Sequence, residues 1–360
     1  MGKNSVSAFK VAATYIGTVV GAGFATGQEI LQFFANFGAR GLAGLLLATL
    51  LFVVFGRIVI GLGRRLGARS HQEIIRHSAG GFLGALMDWI IVFFLFGALT
   101  TMMAGSGALF AQQFGWPPLA GSLIMAALTA FTVLRGLDAV INAISYVAPF
   151  LILSVMLISL CTILRAPPDF TAAPPASSPG GGLIANWFLS AVLYVSYNLI
   201  LSIAVLGPLG AKAQNSRAVK YGALWGGLGL GMAALMICLA MLSCFAQASR
   251  LEVPMVYIAG RISPLAQFFF ALVLIAEVYT TAVSSLYGFA TRLMDVERSA
   301  SATGLIVGTA AAALLCSQLG FSNLVKTLYP LVGYAGLALL FCLAYGKLRH
   351  HGASRGGARR

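Results

Sequence analysis

The sequence is short of charge, and shortest of acid. Asp and Glu together number 9 in 360 residues, and charged residues of both signs make up only 9% of the chain. So few ionised groups cannot supply the mixed charged surface that keeps a soluble domain dissolved. Histidine is scarce too: His71, His77, His350 and His351 lie in loops or the tail, without a metal-ligand spacing. The 5 cysteines, Cys161, Cys238, Cys244, Cys316 and Cys342, are scattered through apolar runs with no CxxC pair. Neither a disulfide framework nor a zinc centre is expected from them. HExxH is missing, as is any Ser-His-Asp arrangement, so the chain does not read as an enzyme.

What is present is apolar. Hydrophobic residues make up 59% of the chain, and the mean hydropathy is +0.91. This composition belongs to an all-α polytopic membrane protein whose solvent is the lipid bilayer. The first apolar segment is too long for a signal peptide and lacks a cleavage pattern, so it is expected to stay in the chain. The net charge of +14 would suit nucleic acid, but the basic residues sit in short loops and at span ends. That placement is an orientation signal, and no nucleic-acid partner is expected.

A span needs roughly 20 apolar residues. That length gives ten spans, one to ten, at about 8–37, 41–63, 83–113, 118–135, 140–164, 184–209, 219–244, 264–293, 302–318 and 321–345. Lys3, Lys10, Arg64, Arg65, Arg69, Arg76, Arg135, Lys212, Arg217, Lys220, Arg292, Arg298 and the tail after Lys347 fall on one side. The other side carries only Arg40, Arg165, Arg250, Arg261 and Lys326. The bias puts both termini in the cytoplasm. The basic tail, residues 346–360, is expected to lack fixed structure and to lie on anionic lipid. Ser70-His-Gln-Glu73 reads as a capping box, predicting a short helix in the first cytoplasmic loop.

A Pro/Gly/Ser linker, 165–182, splits the single transmembrane domain (1–345) into five spans on each side, 8–164 and 184–345. Five is odd, so the second half inserts upside down, and two like halves so arranged form an inverted repeat. The loop 245–263 holds an apolar patch, Met255 to Ala259, that suits a re-entrant or interfacial helical lid.

The functional reading turns on Ile16 to Glu29, IGTVVGAGFATGQE, inside span one. Gly17, Gly21, Gly23 and Gly27 crowd this window, each costing a helix roughly 1 kcal/mol against alanine. An unwound turn there frees backbone groups that lipid cannot satisfy, so it must line a cavity. Helix ends meeting at such a break offer amides to an anion and carbonyls to a cation. The other reading of Gly17-xxx-Gly21 is close helix packing. By repeat logic span six should be interrupted too, and Tyr194, Ser196, Tyr197 and Asn198 lie in its middle.

Acids inside spans are costly and mark function. Glu29 follows the glycine window. Glu277 opens the stretch EVYTTAVSS of span eight, with Thr281, Ser284 and Ser285 on the same face. A carboxylate and hydroxyls on one stripe suit a hard cation, or a proton on Glu277. Arg57 and Asp88 read as snorkelling groups or a gate ion pair, and Thr100, Thr101 and Ser106 as further candidates to line a site.

The residues TYIGTVVGAGFATGQE resemble the first span of the YkvI-like bacterial membrane proteins, a branch of the amino acid–polyamine–organocation superfamily. The resemblance covers most of the chain. It implies the LeuT-type fold, a five-plus-five inverted repeat with helices one and six broken. It also implies transport of an amino acid or related small solute by alternating access, often driven by sodium, without a bound cofactor. Carried over, the sodium site takes the carbonyls of Gly17, Val20 and Thr281 and the hydroxyls of Ser284 and Ser285. The solute carboxylate would meet the amides of Gly21, Ala22 and Gly23, and Tyr194, Ser196 and Asn198 would hold the rest. Glu29 and Glu277 fall to coupling or gating. Span five has no lysine to replace sodium, whereas the extra acid Glu277 points to a proton. A receptor that keeps the fold without transport is the other function this resemblance allows.

Overall fold

The computed structural model describes residues 6–68, 71–135, 147–171, 183–294 and 301–356. Among these, helix accounts for nearly all regular structure, with one parallel bridge between Val6 and Ala213. Ser70 of the expected capping box, most of the linker (172–182), the start of span five (140–146) and the last tail residues (357–360) lie outside the described residues.

Span one is not one helix. Ser7 caps α1 (Ala8–Val19) by accepting from the Lys10 amide at 3.4 Å. The helix stops because Val20 (φ −75°, ψ 108°) and Gly21 (φ −126°, ψ −173°) are extended. A five-residue stub, α2 (Ala22–Thr26), follows and ends on Gly27 at φ 87°, in the left-handed region that favours glycine. From that turn α3 (Gln28–Phe33) leads into a 3-10 turn, Ala35–Phe37. The glycine window therefore opens the span as its composition predicts.

The remaining elements are α4 (Ala39–Leu66), α5 (His71–Phe114), α6 (Pro118–Leu134), α7 (Val147–Arg165), α8 (Trp187–Lys212), α9 (Ser216–Leu242), α10 (Phe245–Ala248), α11 (Pro254–Ile262), α12 (Pro264–Leu293), α13 (Ala302–Ser317) and α14 (Phe321–Gly356). Six of these are long and apolar enough to cross a membrane, and three more stretches, 118–134, 150–165 and 302–317, are shorter but equally apolar. With the interrupted first segment they account for the ten spans. α5 kinks at Gly80 (φ 77°), which separates a loop helix beginning at His71 from span three.

Two expectations need correction. Span six is not interrupted: α8 runs unbroken from Trp187 to Lys212. It lacks mid-span glycine, and two of its polar side chains bond back to their own helix. Asn198 Nδ2 donates to the Tyr194 carbonyl (2.9 Å) and Ser202 Oγ to the Asn198 carbonyl (2.7 Å). The tail is not structureless either, since α14 continues to Gly356 with no proline beyond Pro330 to stop it.

The packing follows the repeat. Replacing each span by the one five places on turns the pair one–seven into six–two, three–ten into eight–five, and four–eight into nine–three. All of these pairs are in contact. The tightest meeting is between α4 and α8. A Cβ on Gly63 would overlap the Gly207 carbonyl, and one on Gly210 would overlap the Ile60 carbonyl. Small residues here let two backbones touch, which is how helices associate where lipid provides no hydrophobic drive. Gly63→Ala and Gly210→Ala should each destabilise the protein by about 1–3 kcal/mol, the usual cost of overpacking. The melting temperature in detergent should fall accordingly, while Gly61→Ala, where a Cβ meets only Val219 at 4.0 Å, serves as the neutral control.

Candidate functional site

The break is held by its surroundings. Tyr15 of α1 donates its hydroxyl to the Phe52 carbonyl of α4 at 2.9 Å. Its ring fills the space left by Gly56 of α4 and Gly226 of α9. α1 is thereby fixed to spans two and seven. Past the break, α2 packs instead on α5, α7, α11 and α12. The two pieces of span one thus rest on different neighbours.

Between them the main chain is open. Among the described residues, no hydrogen bond reaches the carbonyls of Gly17, Thr18, Val19 and Val20, and none leaves the amides of Gly21, Ala22 and Gly23. Each such group costs about 1–3 kcal/mol if sealed from any partner. Here they border a cavity of about 220 Å³. α8 contributes Tyr197, Asn198 and Leu201 to its wall, and α5 contributes Phe94, Ala98 and Met102. α12 contributes Glu277, Thr280, Thr281 and Ser284, while Glu29 and Tyr329 complete it.

Glu29 is 6% exposed and accepts a short hydrogen bond from the Tyr197 hydroxyl. The Gly27 turn folds α3 back so that this carboxylate lies against Gly23, where an added Cβ would overlap Oε1. A side chain at Gly27 itself would collide with Met241 and Met255. Glu277 is 5% exposed, lines the cavity, and has no hydrogen-bond partner among the described residues.

The cavity opens beside α1, where Gly17 and Ser284 on its wall are exposed. On the far side it is closed. Gln28 Nε2 donates to the Leu251 carbonyl (2.7 Å) and to Ser322 Oγ (2.9 Å). Gln112 Nε2 donates to the Val253 carbonyl (2.9 Å) and Gln112 Oε1 accepts from the Val253 amide (3.3 Å). Between these, Glu252 accepts from the amides of Phe321 and Ser322 at the start of α14; burial pushes its carboxyl up, against the pull of those bonds. The loop 245–263 thus carries the expected helical lid, α11, latched to spans one, three and ten.

Several residues singled out from the sequence lie elsewhere. Tyr194 stands one turn before Asn198 on α8, in a cluster with Phe33, Phe34 and Phe52, and does not line the cavity. Ser196 points to span ten and donates to the Gly333 carbonyl at 2.6 Å. Ser285 is buried on the flank of α12, and Thr280 takes its place on the cavity stripe. Thr100, Thr101 and Ser106 bond to the carbonyls of Phe96, Gly97 and Gly121 rather than facing the site. Asp88 pairs with Arg292 at 3.1 Å, tying span three to span eight, and Arg57 is exposed. Tyr197 entered only as part of span six's polar cluster, not as a site residue, and Thr280, Phe94 and Tyr329 were missed. Thr280 could have been found by helical spacing, three residues after Glu277; Phe94 and Tyr329 carry no such signal.

No family model matches the chain. It is 31% identical over 343 residues to the uncharacterized membrane protein YkvI of Bacillus subtilis (strain 168), covering 95% of this chain and 97% of YkvI. Identity to the uncharacterized protein YyaD of the same organism is 26% over 331 residues, covering 91% and 93%. Among solved structures it is similar to MhsT in complex with L-phenylalanine (TM-score 0.58, 16% identity, 96% of this chain and 88% of that one). It is also similar to the Eremococcus coleocola manganese transporter (TM-score 0.58, 14% identity, 96% and 80%). A Na+-coupled sialic acid symporter gives a TM-score of 0.57 at 12% identity, over 88% and 72%. These last likenesses are of fold, and the fold is that of LeuT-type transporters. The 31% identity to YkvI over nearly the whole of both chains, in keeping with the interrupted first span and the five-span repeat, shows that the chain belongs to the YkvI family of bacterial membrane proteins.

Proposed function

We propose that the chain is a secondary active transporter that moves an amino acid or related small solute by alternating access, coupled to sodium. The observation that carries this reading is the open main chain at Val20–Gly21 facing a cavity. Lipid-bound helices do not leave such groups free unless they hold something polar. Alternating access requires a site reachable from one side at a time. The wall exposed beside α1 and the latched lid opposite it are what such a state needs. With both termini cytoplasmic, this state faces inward.

Sodium coupling is supported by the oxygens where α1 ends and α12 passes. Gly17 and Val20, whose carbonyls have no partner among the described residues, line the cavity together with Thr281 and Ser284. Ser284 Oγ gives its proton to the Thr281 carbonyl at 2.9 Å, which leaves its lone pairs for a cation. The Thr281 carbonyl is thereby occupied, so its hydroxyl is the better ligand. Oxygen ligands of this kind suit a hard ion. A second reading, proton coupling, is favoured by Glu277, a buried carboxylate with no partner among the described residues.

Purified protein should be stabilised by sodium chloride over an equal concentration of choline chloride, since an ion that binds only the native state raises its melting point. Thr281→Ala with Ser284→Ala should abolish that difference, and Ser285→Ala should leave it intact. If sodium dependence survives the double substitution while Glu277→Gln removes a pH dependence of uptake into proteoliposomes, the coupling ion is a proton. For the inward-facing state, Ser284→Cys in a chain without its five native cysteines should react with a membrane-impermeant maleimide in inverted vesicles. The same reagent should spare it in intact cells.

A further inference from the structure

The cavity wall carries carboxyl groups and no cationic side chain. Apart from its tyrosines, its ionisable side chains are Glu29 and Glu277, and no Lys, Arg or His joins them among the described residues. Several of its side-chain protons are already spent. Thr18 donates to the Thr14 carbonyl (2.6 Å), Thr280 to the Glu277 carbonyl (3.0 Å), and Tyr197 to Glu29. Asn198 gives one of its two amide protons to the Tyr194 carbonyl at 2.9 Å, leaving its side-chain oxygen as an acceptor. The hydroxyls of Thr281 and Tyr329 keep their protons among the described residues.

The amides of Gly21, Ala22 and Gly23 are open donors as well, and there the chain places its own carboxyl group. Glu29 lies against Gly23, brought back over α2 by the left-handed turn at Gly27. A carboxylate on the solute would meet that charge in a low-dielectric site, where like charges repel strongly. Glu277 remains 5% exposed and unpartnered, directed into the same space. A buried acid in this state calls for a cation opposite it.

Rings supply the rest. Phe94, Tyr197 and Tyr329 form a contiguous trio with centroids 5.1–6.2 Å apart, and all three line the cavity. Aromatic faces attract alkylammonium groups and favour them over a strongly hydrated metal ion. At about 220 Å³ the space is below the about 300–1,000 Å³ typical of drug-sized ligands.

We infer that the solute is a small aliphatic amine without a carboxylate, its ammonium held between Glu277 and the ring trio and its negative counterpart supplied by Glu29. This rests on the transport reading for its biological sense, but concerns binding alone. Sodium, if it couples, occupies the separate oxygens near Gly17 and Ser284.

The test compares amines with the amino acids that carry the same chain plus a carboxylate. Purified protein is titrated with 1,5-diaminopentane against lysine, and with isobutylamine against valine, by thermal shift and by calorimetry. The amines should bind, and their carboxylated counterparts should bind about tenfold more weakly or worse. Glu277→Gln should weaken the amines by a similar factor. Glu29→Gln should narrow the gap between each pair by letting the carboxylate in. Gly23→Ala should narrow the gap in the same way at some cost in melting temperature, because the added methyl overlaps the Glu29 carboxyl group and must displace it from Tyr197. Equal or tighter binding of the amino acids by the unaltered protein would overturn the inference. So would amine affinity unchanged in Glu277→Gln. Uptake is measured separately in proteoliposomes: amine binding without uptake would sink the transport reading and leave this inference standing, and uptake of valine without amine binding would do the reverse.

Discussion

The structure depends on main-chain groups that have no partner. A helix crossing lipid is ordinarily the one arrangement in which every amide and carbonyl is satisfied internally. At Val20 and Gly21 that arrangement is given up, and the neighbouring carbonyls and amides are left facing each other's direction across a two-residue gap. The cost is tolerable only because the gap is lined by polar side chains and a cavity instead of lipid. The surrounding elements are arranged to keep it so: α8, α12 and α5 form the walls, and α11 with its glutamine latches closes the far end.

The second constraint is electrostatic. Two acids are brought into one small space in a chain that has only 9 acids in all. They are treated differently. Glu29 is clamped by Tyr197 and pressed on Gly23, whereas Glu277 is left without a protein partner among the described residues. The cavity wall itself carries no Lys, Arg or His among the described residues.

Much of this was legible from residues alone. The glycine window specified the break, because four poor helix formers within eleven residues of a span leave few other outcomes. The odd number of spans per half specified the inversion that the span contacts obey. The failures came from two sources. Repeat logic overreached at span six, where Asn198 and Ser202 satisfy the backbone of α8 and no glycine loosens it. Face geometry was drawn on the wrong arc at span eight: Ser284, Thr281 and Glu277 were found, but the stripe extends to Thr280 and not to Ser285. Phe94 and Tyr329 come from spans three and ten, far apart in the chain, and nothing local marks an aromatic residue as facing a cavity rather than a packed seam.

The attachment of α1 and α2 to separate neighbours has a mechanical result. α1 is bolted through Tyr15 to spans two and seven, and α2 is seated among spans three, five and eight and the lid. Any rotation of one of these blocks against the other is concentrated in the torsions of Val20 and Gly21. Whatever lodges between the exposed peptide groups there spans the joint, so its occupancy sets how stiffly the two blocks are geared together.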